Sequence, residues 1–193
     1  MFIMEEQKLY QKYSTGRHWE KHPTLYAESF AEFLKEKNFE GLLVDIGCSN
    51  GRDVKVFSKL GFNTLGIDNI QEEIVNNKTK LPELKFEIQN VENLEFENNS
   101  IDAFFMINVI HYVRKEKAIQ EVFRTLKPKG YFFIHFNIDV IDKNGNIDYH
   151  HDQEDILKLV SKFKILQKNI FERVDQEPVE HKHKILELIL QKP

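Results

Sequence analysis

The stretch "VDIGCSNGRDV" (residues 44–54) decides how the rest of the chain is read. Its apolar start has the length of a strand and its charged end opens a helix-like pattern, so the segment reads as strand, tight turn, helix. Gly47, Ser49 and Gly51 satisfy the G-x-S-x-G pattern, in which a sharp turn exposes a nucleophilic serine. The same residues also make a glycine-rich loop on which a flat or charged ligand can lie close to the backbone. The two readings place the protein in different enzyme classes.

Position along the chain favours the ligand loop. A nucleophile elbow follows several strands, so that its serine sits centrally in the sheet, and a loop carrying oxyanion donors precedes it. Here "LLVDI" (42–46) is the first strand-like run, and Ser49 follows it directly. The glycines at 47 and 51 do not make the G-x-G-x-x-G dinucleotide spacing, and a P-loop lysine is missing. Further on, "GIDNI" puts Asp68 at the end of the second strand, beside the loop, where a carboxylate can accept from both hydroxyls of a ribose.

Outward from this loop, strand-length apolar runs alternate with amphipathic stretches of helix length. The strands are expected at 42–46, 63–67, 84–88, 103–107 and 131–136, and the helices at 25–37, 52–60, 71–78 and 115–126. That alternation implies a parallel sheet covered on both faces. Gly61 and Gly130 are expected to be left-handed at helix ends, with Pro128 stopping the third crossover helix. After a helix over 152–163, "KILQKNIFERV" and "HKHKILELIL" are separated only by "DQEPVE", too short for a crossover, so this pair is antiparallel. The expected fold class is α/β, a doubly wound, seven-stranded, mostly parallel sheet with an antiparallel C-terminal hairpin.

With 193 residues the chain suffices for one α/β domain but would leave two undersized. A hydrophobic share of 41% excludes disorder, and a net charge of −4 with dispersed Lys and Arg leaves no footprint for a polyphosphate backbone. The lone Cys48 excludes an intramolecular disulfide and a Cys-x-x-Cys metal pair. The opening "MFIMEEQKLY" lacks a signal-peptide core, and the apolar window "IDAFFMINVI" is too short to span a bilayer. A cytoplasmic protein with no membrane and no nucleic-acid partner is expected.

Five segments, in order, carry a resemblance: "VDIGCSNGRD", "GFNTLGIDNI", "FEIQNVENLEF", "SIDAFFMINVIHYV" and "FRTLKPKGYFFI". Together they resemble the motif set of class I S-adenosylmethionine-dependent methyltransferases of the small-molecule type (methyltransferase type 11). Within that class, "CSNGRD" after a short N-terminal helix is similar to the tellurite- and thiopurine-methyltransferase branch. The resemblance implies a Rossmann-like methyltransferase fold in a single domain, 1–193. Residues 1–40 would form a lid and helix, 41–136 the cofactor-binding core, and 137–193 a substrate-side loop, helix and hairpin.

It further implies S-adenosyl-L-methionine as cofactor, held by Asp45, Gly47, Cys48, Ser49, Gly51, Asp68, Asn69, Asn90, Val91 and Asn108. Its methyl group would pass to a small acceptor, a soft sulfur or metalloid nucleophile being one class. Ser49 departs from the usual middle glycine. Asn90 departs from the usual acid and, as a neutral acceptor, should hold the adenine amino group less strongly.

His111, just past the fourth strand, is the candidate catalytic residue, since ligands bind outside the carboxyl ends of such strands; a buried structural histidine is the alternative. Tyr13, Arg17, His18 and Trp19 lie in an N-terminal stretch that resembles a lid over the acceptor, and His150 is expected on the same side. No metal is expected. His150 and His151 are adjacent and point oppositely on a strand, and although His181 and His183 share a face, no spacing matches a zinc signature. Two rivals stay open: a serine hydrolase built on Ser49, and a non-catalytic adenosylmethionine-binding protein. Either a monomer or a homodimer is compatible with the sequence.

Overall fold

Leu43, Val44 and Ile46 are buried on both sides of the sheet, which is why the first strand is a continuous apolar run and not an alternating one. The computed structural model describes Lys12 and residues 24–193. Strands β1 (Leu42–Ile46), β2 (Asn63–Asp68), β3 (Lys85–Ile88), β4 (Ile101–Met106) and β5 (Leu126–Asp142) are joined through parallel pairs. Antiparallel to β5 run β6 (Ile147–His150) and β8 (His181–Gln191), and β7 (Lys164–Asp175) pairs with β8. The order across the sheet is β3-β2-β1-β4-β5-β8-β7, with β6 off this path against β5. The expected seven strands are therefore present, with β6 as an eighth.

The helices α1 (Leu25–Glu36), α2 (Arg52–Lys59), α3 (Gln71–Lys80), α4 (Lys115–Thr125) and α5 (Gln153–Leu159) follow the expected positions within a few residues at their ends. On one face of the sheet, Phe30 of α1 and Phe57 of α2 meet Phe105 and Phe133, whose stacked rings lie 5.0 Å apart. On the other face, α4 and α5 cover Phe104, Phe132, Ile134 and Leu188. Each such fully buried side chain stabilises the fold by about 1.5–3 kcal/mol. Thr24 caps α1, its hydroxyl accepting from the Ala27 N–H at 3.3 Å. The same residue donates its N–H (2.8 Å) and its hydroxyl (3.1 Å) to Oδ1 of Asp53 in the first turn of α2, tying the start of α1 to the helix that follows the glycine loop.

Two expectations are corrected. Gly130 is not left-handed; Lys129 takes that conformation (φ 67°). A Cβ on Gly130 would lie 2.9 Å from the Asp102 carbonyl oxygen, so it is close approach that demands glycine. The fifth strand does not end at Phe136. Its alternation continues through the buried Ile138 and Val140, so the stretch expected as a loop is the far half of a 17-residue strand. The chain then turns back into β6 where Asp142 Oδ1 accepts from the N–H groups of Asn144 and Asn146, both at 2.8 Å. No helix among the described residues is long and apolar enough to cross a membrane.

Candidate functional site

Between β1 and α2 the loop alternates left-handed residues: Gly47 (φ 72°), Ser49 (φ 47°) and Gly51 (φ 74°). A Cβ on Gly47 would come 2.2 Å from Val109 Cγ2, so glycine there is required by contact as well as by conformation. Ser49, which carries a Cβ into that conformation at a cost of about 1–2 kcal/mol, is held by its main chain. Its N–H donates to Asp68 Oδ2 at 3.0 Å, and its carbonyl accepts from Asn77 Nδ2 at 2.6 Å. Asp68, at the end of β2, also accepts the Ile70 N–H through Oδ1 at 3.0 Å. Each carboxylate oxygen retains a second lone pair, so the residue that fixes the loop can accept from two further donors.

The loop is one wall of a cavity of about 420 Å³, within the range of small-molecule sites. Asp45, Gly47, Cys48, Ser49, Asp68, Asn69, Asn90, Val91, Asn108 and His111 all line it; Gly51 lies behind, as the N-cap of α2. Asp45 is 4% exposed, and burial pushes its carboxyl well above the usual range, with the Asp53 and Asp68 carboxylates adding to the push against the nearby Arg52 cation. A cationic ligand group beside Asp45 would relieve that cost. Burial likewise raises the Cys48 thiol, which disfavours its nucleophilic thiolate form.

Asn90 is exposed, and its Oδ1 accepts the Glu92 N–H at 2.9 Å, capping a turn. The buried polar neighbour in the cavity wall is Gln89, held by Glu87 and by the Glu95 N–H. Asn108 sits half-buried with φ 56° in the turn after β4, beyond the strand that was expected to contain its neighbour Ile107.

His111 lies in the 3₁₀ turn Ile110–Tyr112 and is 6% exposed. Its Nε2 accepts the Asn137 N–H at 3.1 Å, while Nδ1 is buried with no partner among the described residues. Loss of water, with Lys115 and neighbouring histidines adding positive charge, pushes its pKa down to about 3, so the ring is neutral. His150 is exposed and paired with Asp139, outside the cavity; on a strand its neighbour Tyr149 points the other way, into the cavity wall. Tyr13, Arg17, His18 and Trp19 lie outside the described residues.

The opposite wall comes from the segment 137–193 that was expected on the substrate side, through residues that had not been singled out for it. Register places Tyr149, Val140, His183 and Arg173 in one row across β6, β5, β8 and β7, with Asp175 facing His181 in the next row. All six line the cavity. Arg173 donates to Asp175 Oδ2 at 2.8 Å, and His183 Nε2 lies 3.3 Å from the same oxygen. Period-two spacing had paired His181 with His183, and it equally pairs Arg173 with Asp175. Which residue faces which depended on the turn between the strands.

Residues 44–134 match the family model described as "Methyltransferase domain". A bovine relative named "Probable tRNA methyltransferase 9B" is 30% identical over 130 residues, which cover 65% of this chain and 27% of that protein. The chain thus spans about a quarter of the length of the curated relatives it first matches. Among solved structures, TehB from Haemophilus influenzae superposes with a TM-score of 0.70 at 14% identity, covering 98% of this chain and 67% of that one. A SAM-dependent methyltransferase from Methanosarcina mazei gives 0.65 at 21% identity, over 79% of this chain and 92% of the other. At these identities the superpositions speak for the fold.

The residues of the loop fit the cofactor such domains use: a cradle a Cβ would fill at Gly47, spare acceptor capacity at Asp68 and a buried acid at Asp45. Over residues 44–134 the chain matches a methyltransferase domain, and its fold is that of the S-adenosyl-L-methionine-dependent methyltransferase structures it superposes on.

Proposed function

We propose that the protein moves a methyl group from S-adenosylmethionine to a small acceptor bound against the β5–β8 wall. The observation that carries this reading is the continuity of one cavity from the glycine loop to the row Tyr149, Arg173, His183. When bound, the cofactor supplies an electrophilic methyl on a sulfonium centre. Asp68 would take the ribose hydroxyls, and Asp45 would face the positive end of the ligand. Transfer is an in-line displacement that depends on alignment and on exclusion of water. His111 fits that picture as a neutral wall residue whose Nε2 is engaged by backbone.

Small acceptors are favoured over nucleic acid by the dispersed basic residues and the net charge of −4. The bovine relative's name mentions tRNA, so tRNA belongs in the test. Calorimetry with S-adenosylhomocysteine should show saturable binding that the Asp68→Ala variant weakens. Transfer of label from methyl-labelled S-adenosylmethionine is then compared across thiols, reduced metalloids, phenols, amines and tRNA. Labelling confined to tRNA would overturn the small-acceptor reading. Binding without transfer to any acceptor would favour a non-catalytic binder.

A further inference from the structure

We infer that Asp175, His181 and His183 form a site for a divalent transition metal of the zinc class in the acceptor half of the cavity. The antiparallel register sets Asp175 opposite His181, and the two-residue period puts His183 on the same face. His183 Nε2 stands 3.3 Å and His181 Nε2 3.8 Å from Asp175 Oδ2, and one ligand atom from each residue lies within 4.8 Å of the others. Ligands about 2.0–2.2 Å from a tetrahedral ion are about 3.3–3.5 Å apart, so rotamer adjustments of the order of 1 Å close the set.

Supporting bonds point the same way. His181 Nδ1 is 2.7 Å from the Val179 carbonyl oxygen, which can only accept, so Nδ1 carries a proton and Nε2 is the ring nitrogen turned towards Asp175. Donation of the second ring nitrogen to a carbonyl is the usual support of a metal-ligating histidine, and the ligating carboxylate is commonly hydrogen-bonded too, as Arg173 does here for Asp175. His181 and His183 are 2% and 9% exposed, with ring centroids 4.8 Å apart, and the carboxylate of Asp175 beside them is partly exposed. Two imidazoles, one carboxylate and an open position match catalytic zinc.

The site's use rests on the methyl-transfer reading. A metal there would take an acceptor's oxygen or sulfur in its open position and lower its pKa, a task His111 is badly placed for because its Nε2 already accepts the Asn137 N–H. The acceptor's proton would pass to solvent on coordination. Its lone pair would then form the bond to the methyl carbon, and the electron pair of the breaking S–C bond would remain on sulfur.

The test uses the full chain, stripped with chelator and titrated with Zn²⁺ by calorimetry and with Co²⁺ by visible absorption. We expect about one equivalent of Zn²⁺ bound with a dissociation constant of about a micromolar or tighter, and Co²⁺ bands of a low-coordinate site. His183→Gln and His181→Gln should each weaken binding at least about tenfold, and the double variant about a hundredfold or more, while His150→Gln, on the exposed face, should not. Melting curves of the metal-free variants establish that the hairpin remains folded. Binding no tighter than millimolar, or binding that survives in the double variant, overturns the site and leaves Arg173, Asp175 and His183 as an ion-pair network. Calorimetry with S-adenosylhomocysteine on the same samples keeps this result separate from the cofactor reading: loss of one signal with retention of the other identifies which inference failed.

Discussion

His111 accepts the backbone N–H of Asn137 through Nε2, so the proton of the neutral ring sits on Nδ1, buried where no described residue receives it. A ring held this way can donate but has no nitrogen left to take a proton. Activity of His111→Gln should therefore stay within about tenfold of the parent between pH 6 and 9. A loss of 10² or more that titrates near pH 6.5 would make His111 a general base.

The same residue sets an acid limit on stability. Its folded pKa, about 3, lies below the ordinary 6.5. Protons therefore bind the unfolded chain preferentially as pH falls through 6.5 towards 3, and stability declines over that window. The melting temperature of His111→Gln should fall less between pH 7 and pH 5 than that of the parent. Equal declines would mean that other groups carry the effect.

Asp68 joins ligand capacity to loop support. Asp68→Ala should weaken S-adenosylhomocysteine binding by about 1.5–3 kcal/mol, roughly ten- to hundredfold. It should also lower the melting temperature, because the Ser49 and Ile70 N–H groups lose their acceptor. An unchanged isotherm would remove Asp68 from the ribose site.

Ser49 separates the two readings of the glycine loop. Ser49→Gly should raise stability by up to about 1 kcal/mol by relieving the left-handed residue, and both Ser49→Gly and Ser49→Ala should keep methyl transfer. Fluorophosphonate labelling that disappears in Ser49→Ala, together with esterase activity, would restore the nucleophile.

Asp45 has a carboxyl raised by burial. For a raised acid, the favourable contribution is complete below the unfolded value near 3.8 and is lost as pH rises through the folded value. At pH 7 the unliganded Asp45→Asn protein should thus melt no lower than the parent, while binding the cofactor about ten- to hundredfold more weakly. A lower melting temperature with unchanged affinity would assign Asp45 a structural role.

What could be read in advance follows from sequence distance. The loop and Asp68 were legible because small residues at 47 and 51 and an acid closing the next strand are local signals. The orientation of His111 was not, since it depends on a backbone group 26 residues away. The far half of β5 was hidden by the polar Asn137 and Asp139, although Asn144-Gly145 is a turn signal. The facing of Asp175 onto His181 needed the hairpin register, which composition does not encode. Asn90 drew attention by motif position, yet its side-chain oxygen serves the turn it sits in.

The pairing of β5 with β8 slips between Asn137 and Asp139. Before the slip, odd-numbered β5 residues such as Phe133 share a face with the odd residues of β8; after it, Val140 does, opposite His183. That single step works like a phase shifter on one continuous strand. Removing the extra β5 residue would take out the bulge and leave one-to-one pairing with β8 across the joint, while the strands beneath the glycine loop kept their alignment. Under the proposed function, the joint divides the part that would hold the methyl donor from the part that would receive the acceptor. On that reading, substitutions in the outer segment beyond this joint are a route to new acceptor preferences over an unchanged inner sheet.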